Sequence, residues 1–181
     1  MARNEFNELR TVQFQRQMRV SAIRIYKAIF PNCEIEDLRT KGKGVHILDK
    51  EFAIDSLIQF PSGNFITLQE KYRENKYIQY SDFTQEYNNA VGTEYESVGE
   101  WFKLAAQLYF YGWANKDNTD FEKWIMLDIL RYKLLVEKAG GLGKIGILKI
   151  NETHGRASFY AIPVIKLKDA IIYSSQGLEN P

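Results

Sequence analysis

Two strand-like segments joined by a short turn restrict the fold of this chain more than any other feature. Phe52-Ala-Ile-Asp-Ser-Leu-Ile-Gln-Phe60 and Phe65-Ile-Thr-Leu-Gln-Glu-Lys-Tyr-Arg73 flank Pro61-Ser-Gly-Asn64, the pattern of a β-hairpin. With Pro61 and Ser62 central in a type I turn and Gly63 left-handed, the loop has three residues and Phe60 faces Asn64. Asp55 then lies opposite Gln69, and Ala53 opposite Lys71. Opposed residues share a face, so Asp55, Gln69 and Lys71 point the same way while Glu70 points the other. A four-residue loop without a bulge would instead oppose Asp55 to Glu70. The Pro-Ser-Gly order favours the first register.

The hairpin is preceded by a helix. Residues 8–30 carry Phe14, Met18, Ala22, Ile25 and Ile29 at the spacing of a buried stripe, and Pro31-Asn32 ends the run. Arg39-Thr-Lys-Gly-Lys-Gly44 reads as a basic loop. A third strand is expected over 76–83, and helices over 99–113 and 120–138, the latter stopped by Gly140-Gly-Leu-Gly143. Late strands are expected over 144–150 and 158–167. The fold class is α/β, arranged as a single domain over 1–181. Residues 8–113 form the core of this reading, and 114–181 complete or elaborate it.

Composition enters through charge. There are 24 Lys and Arg against 23 Asp and Glu, a formal net charge of +1, so the total announces no polyanionic partner. The distribution is less neutral. Residues 1–50 hold ten basic against six acidic side chains, and residues 81–128 hold three against nine. A lone cysteine, Cys33, excludes an internal disulfide and a cysteine-built zinc site. The polar N-terminus lacks the apolar stretch of a signal peptide, and no apolar run is long enough to span a bilayer. A soluble, cytoplasmic protein is the expectation.

Asp55 and Gln69-Glu70-Lys71 carry the chemistry. A carboxylate on one strand, with a polar ligand and a lysine two residues apart on the next, suits metal-assisted phosphodiester cleavage. The carboxylate anchors a hard cation such as Mg²⁺ or Mn²⁺. That cation polarises the phosphate and acidifies a bound water, and the ammonium balances charge developing on the phosphate. Glutamine and lysine on a plain solvated sheet face are the competing explanation.

Asp55, thirteen intervening residues and Gln69-x-Lys71 resemble the PD-(D/E)xK nuclease superfamily, in its Gln-x-Lys variant. Ile54-Asp55 ahead of a Gln-x-Lys strand is similar to the Mrr-type restriction nucleases. The resemblance covers residues 8–113 and implies a restriction-endonuclease-like core: leading helix, mixed β-sheet with an antiparallel hairpin, and following helices. It further implies metal-dependent hydrolysis of DNA, in a restriction, resolvase, homing or phage setting. Asp55 would be the metal carboxylate and Gln69 the second ligand. Lys71 would be the catalytic lysine, with the Glu70 main-chain carbonyl reaching the metal and Glu8 an added helix carboxylate. Two departures stand out: no proline precedes Asp55, and glutamine brings no charge. A nucleic-acid-binding protein of this fold without catalysis, or an RNA-directed nuclease, are the alternatives.

Arg16, Arg19, Arg24, Lys41, Lys43 and Arg73 are candidate phosphate contacts, and a homodimer would allow both strands to be cut. Asp82 and Glu86 could flank the site, although a capped turn for Asp82 and a solvated carboxylate for Glu86 suit them better. Trp101, Tyr109, Tyr111 and Trp113 read as core rather than base-stacking groups. His46 and His154 read as surface residues, and Thr153-His-Gly-Arg156 as a hairpin turn.

Overall fold

The structure, a computed structural model, describes residues 2–39, 47–152 and 156–176, with backbone only for 2–11. It is mixed α/β. In chain order the elements are α1 (Ala2–Ile29), β1 (Glu34–Asp37), α2 (Ile47–Phe52), β2 (Ser56–Gln59), β3 (Phe65–Arg73), β4 (Asp82–Asn89), β5 (Ser97–Val98), α3 (Glu100–Lys103), β6 (Leu108–Ala114), β7 (Phe121–Asp128), α4 (Ile129–Ala139), α5 (Leu142–Ile145), β8 (Ile147–Ile150), β9 (Ser158–Pro163) and β10 (Ile171–Ser174).

The hairpin takes the expected register. Ser56 pairs with Leu68 and Gln59 with Phe65. Phe60 N–H donates to the Asn64 carbonyl at 2.9 Å, and Gly63 adopts φ 83°, the left-handed geometry that glycine accepts without a Cβ penalty. The strand before it is shorter than expected. Phe52 closes α2, left-handed Ala53 (φ 47°) turns the chain, and Asp55 sits just ahead of β2.

Six strands form one mixed sheet in the order β1-β2-β3-β6-β7-β10, with β3 and β6 parallel and the other pairs antiparallel. A second, antiparallel sheet has the order β5-β4-β9-β8. Helix α1 covers one face of the first sheet. Phe14, Met18, Ala22 and Tyr26 pack there against Ile58, Leu68, Tyr72 and Phe110. On the opposite face Tyr109, Tyr111, Ile125 and Leu127 share a core with Phe83 and Ile162 of the second sheet and with Tyr132 and Val136 of α4. Among the described residues, no helix is long and apolar enough to cross a membrane.

Several expected elements are corrected. Residues 99–113 hold only a one-turn helix before β6, whose seven residues are all buried. Leu-Tyr-Phe-Tyr-Gly-Trp-Ala is a central strand with both faces covered, and its aromatics suit a pleated surface. Residues 120–138 divide into β7 and α4, with the Asp128 carboxylate capping α4 by accepting from Arg131 N–H. The expected third strand begins later, at Asp82, after a 3₁₀ turn over Asn75–Tyr80. Gly140 at φ 86° does stop α4, but α5 intervenes before β8, and the late strand over 158–167 gives way at Val164 to a 3₁₀ turn.

Gly112 shows how tightly β6 is enclosed. A Cβ there would lie 2.4 Å from the Phe121 ring. Gly112→Ala is therefore expected to cost about 1–3 kcal/mol through overpacking, measurable by urea denaturation.

Candidate active site

Strand β3 serves two faces, and alternation assigns its residues. Odd-numbered Gln69 and Lys71 look toward the second sheet; even-numbered Glu70 and Tyr72 look toward α1. Asp55 is placed at the head of this arrangement by three backbone-level ties. Its N–H donates to the Leu68 carbonyl at 2.9 Å, and its own carbonyl accepts from Leu38 N–H at 2.9 Å. Its Oδ2 accepts from Glu70 N–H at 2.8 Å. The carboxylate is buried, and that burial, followed by the nearby Glu70 charge, pushes its pKa up to about 8, against the pull of Arg39 and of the Glu70 N–H. It also helps to hold the Tyr109 phenol protonated.

Gln69 is buried, with Nε2 donating to Glu100 Oε2 at 3.1 Å. Lys71 Nζ donates to the Thr84 carbonyl at 3.3 Å, bridging the two sheets. A cavity of about 170 Å³ is lined by Gln69, Glu100, Glu86, Asp49, Lys50 and Lys103, among others. A larger cleft, about 430 Å³, includes Lys71, Arg73, Tyr77, Glu86 and Lys149 in its walls. Glu86 borders both. Asp55 lines neither cavity, because the Glu70 N–H draws its carboxylate back against the sheet.

Glu70 has a different role from its neighbours. Its carboxylate is fully buried beneath α1, where it is ion-paired with Arg19 and with Arg39, the latter at 2.8 Å. Arg19 also donates to Ser56 Oγ at 2.8 Å and lies 3.2 Å from Asp37. The Glu70 backbone is another matter. The Phe60–Asn64 pair fixes which β3 residues aim their N–H and C=O at β2, and the even-numbered ones do. The Glu70 carbonyl therefore points to the side on which Asp55 lies.

The candidate phosphate contacts separate. Arg19 is corrected: it is buried and committed to Glu70, Asp37 and Ser56, because it lies beside Met18 on the covered side of α1. Arg16 is exposed. Arg24 is exposed and pairs with Asp120 at 3.2 Å. The Arg73 guanidinium lies 4.2 Å above the Tyr77 ring, on the wall of the cleft that holds Lys71. Lys41, Lys43, His46 and His154 lie outside the described residues, as does the side chain of Glu8. Tyr109, Tyr111 and Trp113 are core, fully enclosed. Asp82 pairs across the second sheet with Pro163.

Sequence reasoning missed Glu100. Burial pushes its carboxyl pKa up, while the Lys71 ammonium and the Tyr109 hydroxyl oppose that rise. Its Oε1 accepts from Gln85 Nε2 and from Tyr109 Oη, both at 2.8 Å. Gly99 sets its position: the Gly99 N–H donates to the Tyr87 carbonyl at 2.7 Å. A lone acid at the start of a helix carries no signal of this, since acids are common there.

Among the described residues, no three carboxylate, imidazole or thiol side chains converge as a metal cluster. The candidate donors are hard oxygens instead: the Asp55 carboxylate, the Gln69 amide oxygen and the Glu70 main-chain carbonyl. Gln69 Oε1 is buried without a hydrogen-bond partner among the described residues. Hard oxygen donors and an orphaned acceptor fit a magnesium-like ion that keeps several waters. Comparison with known proteins finds no matching family model, curated protein or solved structure.

Proposed function

We propose that this chain is a divalent-metal-dependent endonuclease acting on DNA, with a restriction-endonuclease-like core of the Gln-x-Lys type. The observation that carries the reading is the hairpin register: Ser56 pairs with Leu68, Asp55 just ahead of it hydrogen-bonds the backbone of Leu68 and of Glu70, on either side of Gln69, and Lys71 follows in the same strand. The helix-first order and the mixed sheet are in keeping with it. So is the cleft around Lys71, where, among the described residues, Arg73 and Lys149 stand with one carboxylate, Glu86. Three cations around one groove suit a phosphodiester backbone.

Asp55, Gln69 Oε1 and the Glu70 carbonyl would hold the ion. When bound, it polarises the phosphate and lowers the pKa of water. The chain supplies the rest. Lys71 neutralises charge that grows on the phosphate, from a position fixed by the Thr84 carbonyl. Arg73, stiffened by Tyr77, holds the flanking backbone. Cutting both strands would call for two copies of the chain or two successive nicks.

Supercoiled plasmid incubated with Mg²⁺ or Mn²⁺ tests this. The wild type is expected to nick or linearise DNA, and Lys71→Ala to slow the reaction by about 10²–10³-fold. Equal rates in wild type and variant would sink the proposal, and cleavage confined to RNA would redirect it. The withdrawn position of Asp55 favours one other reading, a DNA-binding protein of this fold without catalysis. DNA binding with no cleavage under either ion would select it.

A further inference from the structure

Two glutamines in the site share one peculiarity. Gln69 is 8% exposed and Gln85 fully buried. Each gives its Nε2 to the Glu100 carboxylate, and each keeps a buried Oε1 that has no partner among the described residues. An ionised carboxylate accepts and never donates. A glutamine held against it must turn its amino group toward the acid and its carbonyl oxygen away. Buried acceptors without donors are costly, and one beside a cavity invites a donor or a cation. Gln69 borders the cavity that Glu100 also lines.

Glu100 also explains the residue type at 69. Its Oε2 lies 3.1 Å from Gln69 Nε2. A carboxylate at 69 would confront a second one at that distance in a buried setting, where like charges disfavour joint ionisation. An amide removes the conflict and gains a charge-assisted hydrogen bond.

We propose that Glu100 is the positioning carboxylate of this site. It locks the Gln69 amide in the orientation that offers Oε1 to a divalent cation, and it supplies from α3 the negative charge that glutamine lacks. The inference rests on the nuclease reading and adds to it a group from outside the hairpin. Tyr109 Oη holds Glu100 from one side, and the Gly99–Tyr87 hydrogen bond anchors the start of its helix. Partners of this kind fix the orientation of a metal-binding group without touching the metal.

A charge exchange tests it, read as Mn²⁺ affinity by titration calorimetry on the full chain, with circular dichroism reporting the fold. Glu100→Gln brings an amino group into the acceptor set and frees Gln69 to turn over. Mn²⁺ affinity is expected to fall about 10–100-fold. Adding Gln69→Glu moves the charge to the other member of the pair, and most of the affinity is expected to return. Unchanged affinity in Glu100→Gln, or no recovery in the double variant, would overturn the role of Glu100. Should Glu100→Gln fail to fold, the double variant decides alone: near-wild-type Mn²⁺ binding supports the exchange, and its loss overturns it. A wild type that neither binds Mn²⁺ nor cuts DNA removes the nuclease reading and this role together. A wild type that does both, beside an unaffected Glu100→Gln, removes only this role.

Discussion

Glu70→Gln is expected to destabilise the protein by about 3–5 kcal/mol, the usual consequence of removing one partner from a buried ion pair. The Glu70 side chain has no exposed surface, and Arg19, beside it, is only 10% exposed. Without the carboxylate, two guanidiniums lie close together under α1, sharing Asp37 as an ion-pair partner. The arginine pKa values follow the same logic. Burial is the largest single influence and lowers them, yet the charges of Glu70 and Asp37, with Asp55 added for Arg39, together leave both Arg19 and Arg39 above their ordinary values. For a chain of this size each kcal/mol corresponds to roughly 2–4 °C in Tm, so the melting transition should drop by about 6–20 °C. Guanidinium denaturation measures it, and a loss below about 1 kcal/mol would show that the pair is dispensable. Removing Glu70 and Arg19 together as apolar residues should cost less than the sum of the two single changes.

Asp55→Asn is expected to act in opposite directions on stability and on function. The Asp55 carboxyl ordinarily titrates near 3.8, and the fold holds it near 8. Between those values the folded chain keeps a proton that the unfolded chain has released. The stabilisation is complete below pH 4 and drains away as pH rises toward 8. Metal-free wild type should therefore lose Tm steadily from pH 5 to 8 through this group. The asparagine variant lacks that dependence and should be the more stable of the two at pH 8 in EDTA. Mg²⁺ should raise the wild-type Tm at pH 8, because an ion that binds only the folded state stabilises it, and should leave Asp55→Asn unmoved. Cleavage should be lost altogether in the variant. Melting curves across pH, with EDTA and with Mg²⁺, read every part of this. A wild-type profile flat from pH 5 to 8 would contradict the buried carboxyl.

Some of this was legible from the residues because the causes are local. A glycine at the left-handed position of a short loop determines the hairpin register, and a register determines faces. The stripe in α1 and its proline stop are equally local, and so is the glycine at the end of α4. What escaped depends on distant parts of the chain. Strand β6 is buried on both faces only because α1 closes over Phe110 on one side and β4, β9 and α4 close over Tyr109 and Tyr111 on the other, and a short apolar run looks alike in a buried helix and a central strand. Arg19 reads as one more basic residue on a polar face until the fold brings Glu70 beneath it. Glu100 acquires meaning only when α3 lies against β4. Gln69 reads from the local pattern as a candidate ligand, but its amide hydrogen-bonds an acid that the pattern does not contain.

Strands β3 and β6 run parallel, and parallel neighbours cannot be joined by a tight turn. The chain must leave the sheet after Arg73 and return to the same edge before Leu108. That detour, residues 74–107, carries Tyr77, Thr84, Gln85, Glu86 and Glu100. The hairpin thus provides Asp55, Gln69 and Lys71, while the excursion demanded by parallel pairing supplies much of the walls of the cavities beside Gln69 and Lys71. The turn that sets the hairpin's register lies outside this excursion, so on the nuclease reading proposed above the cleft walls can change sequence, and the target with them, as long as Glu100 keeps its hold on Gln69.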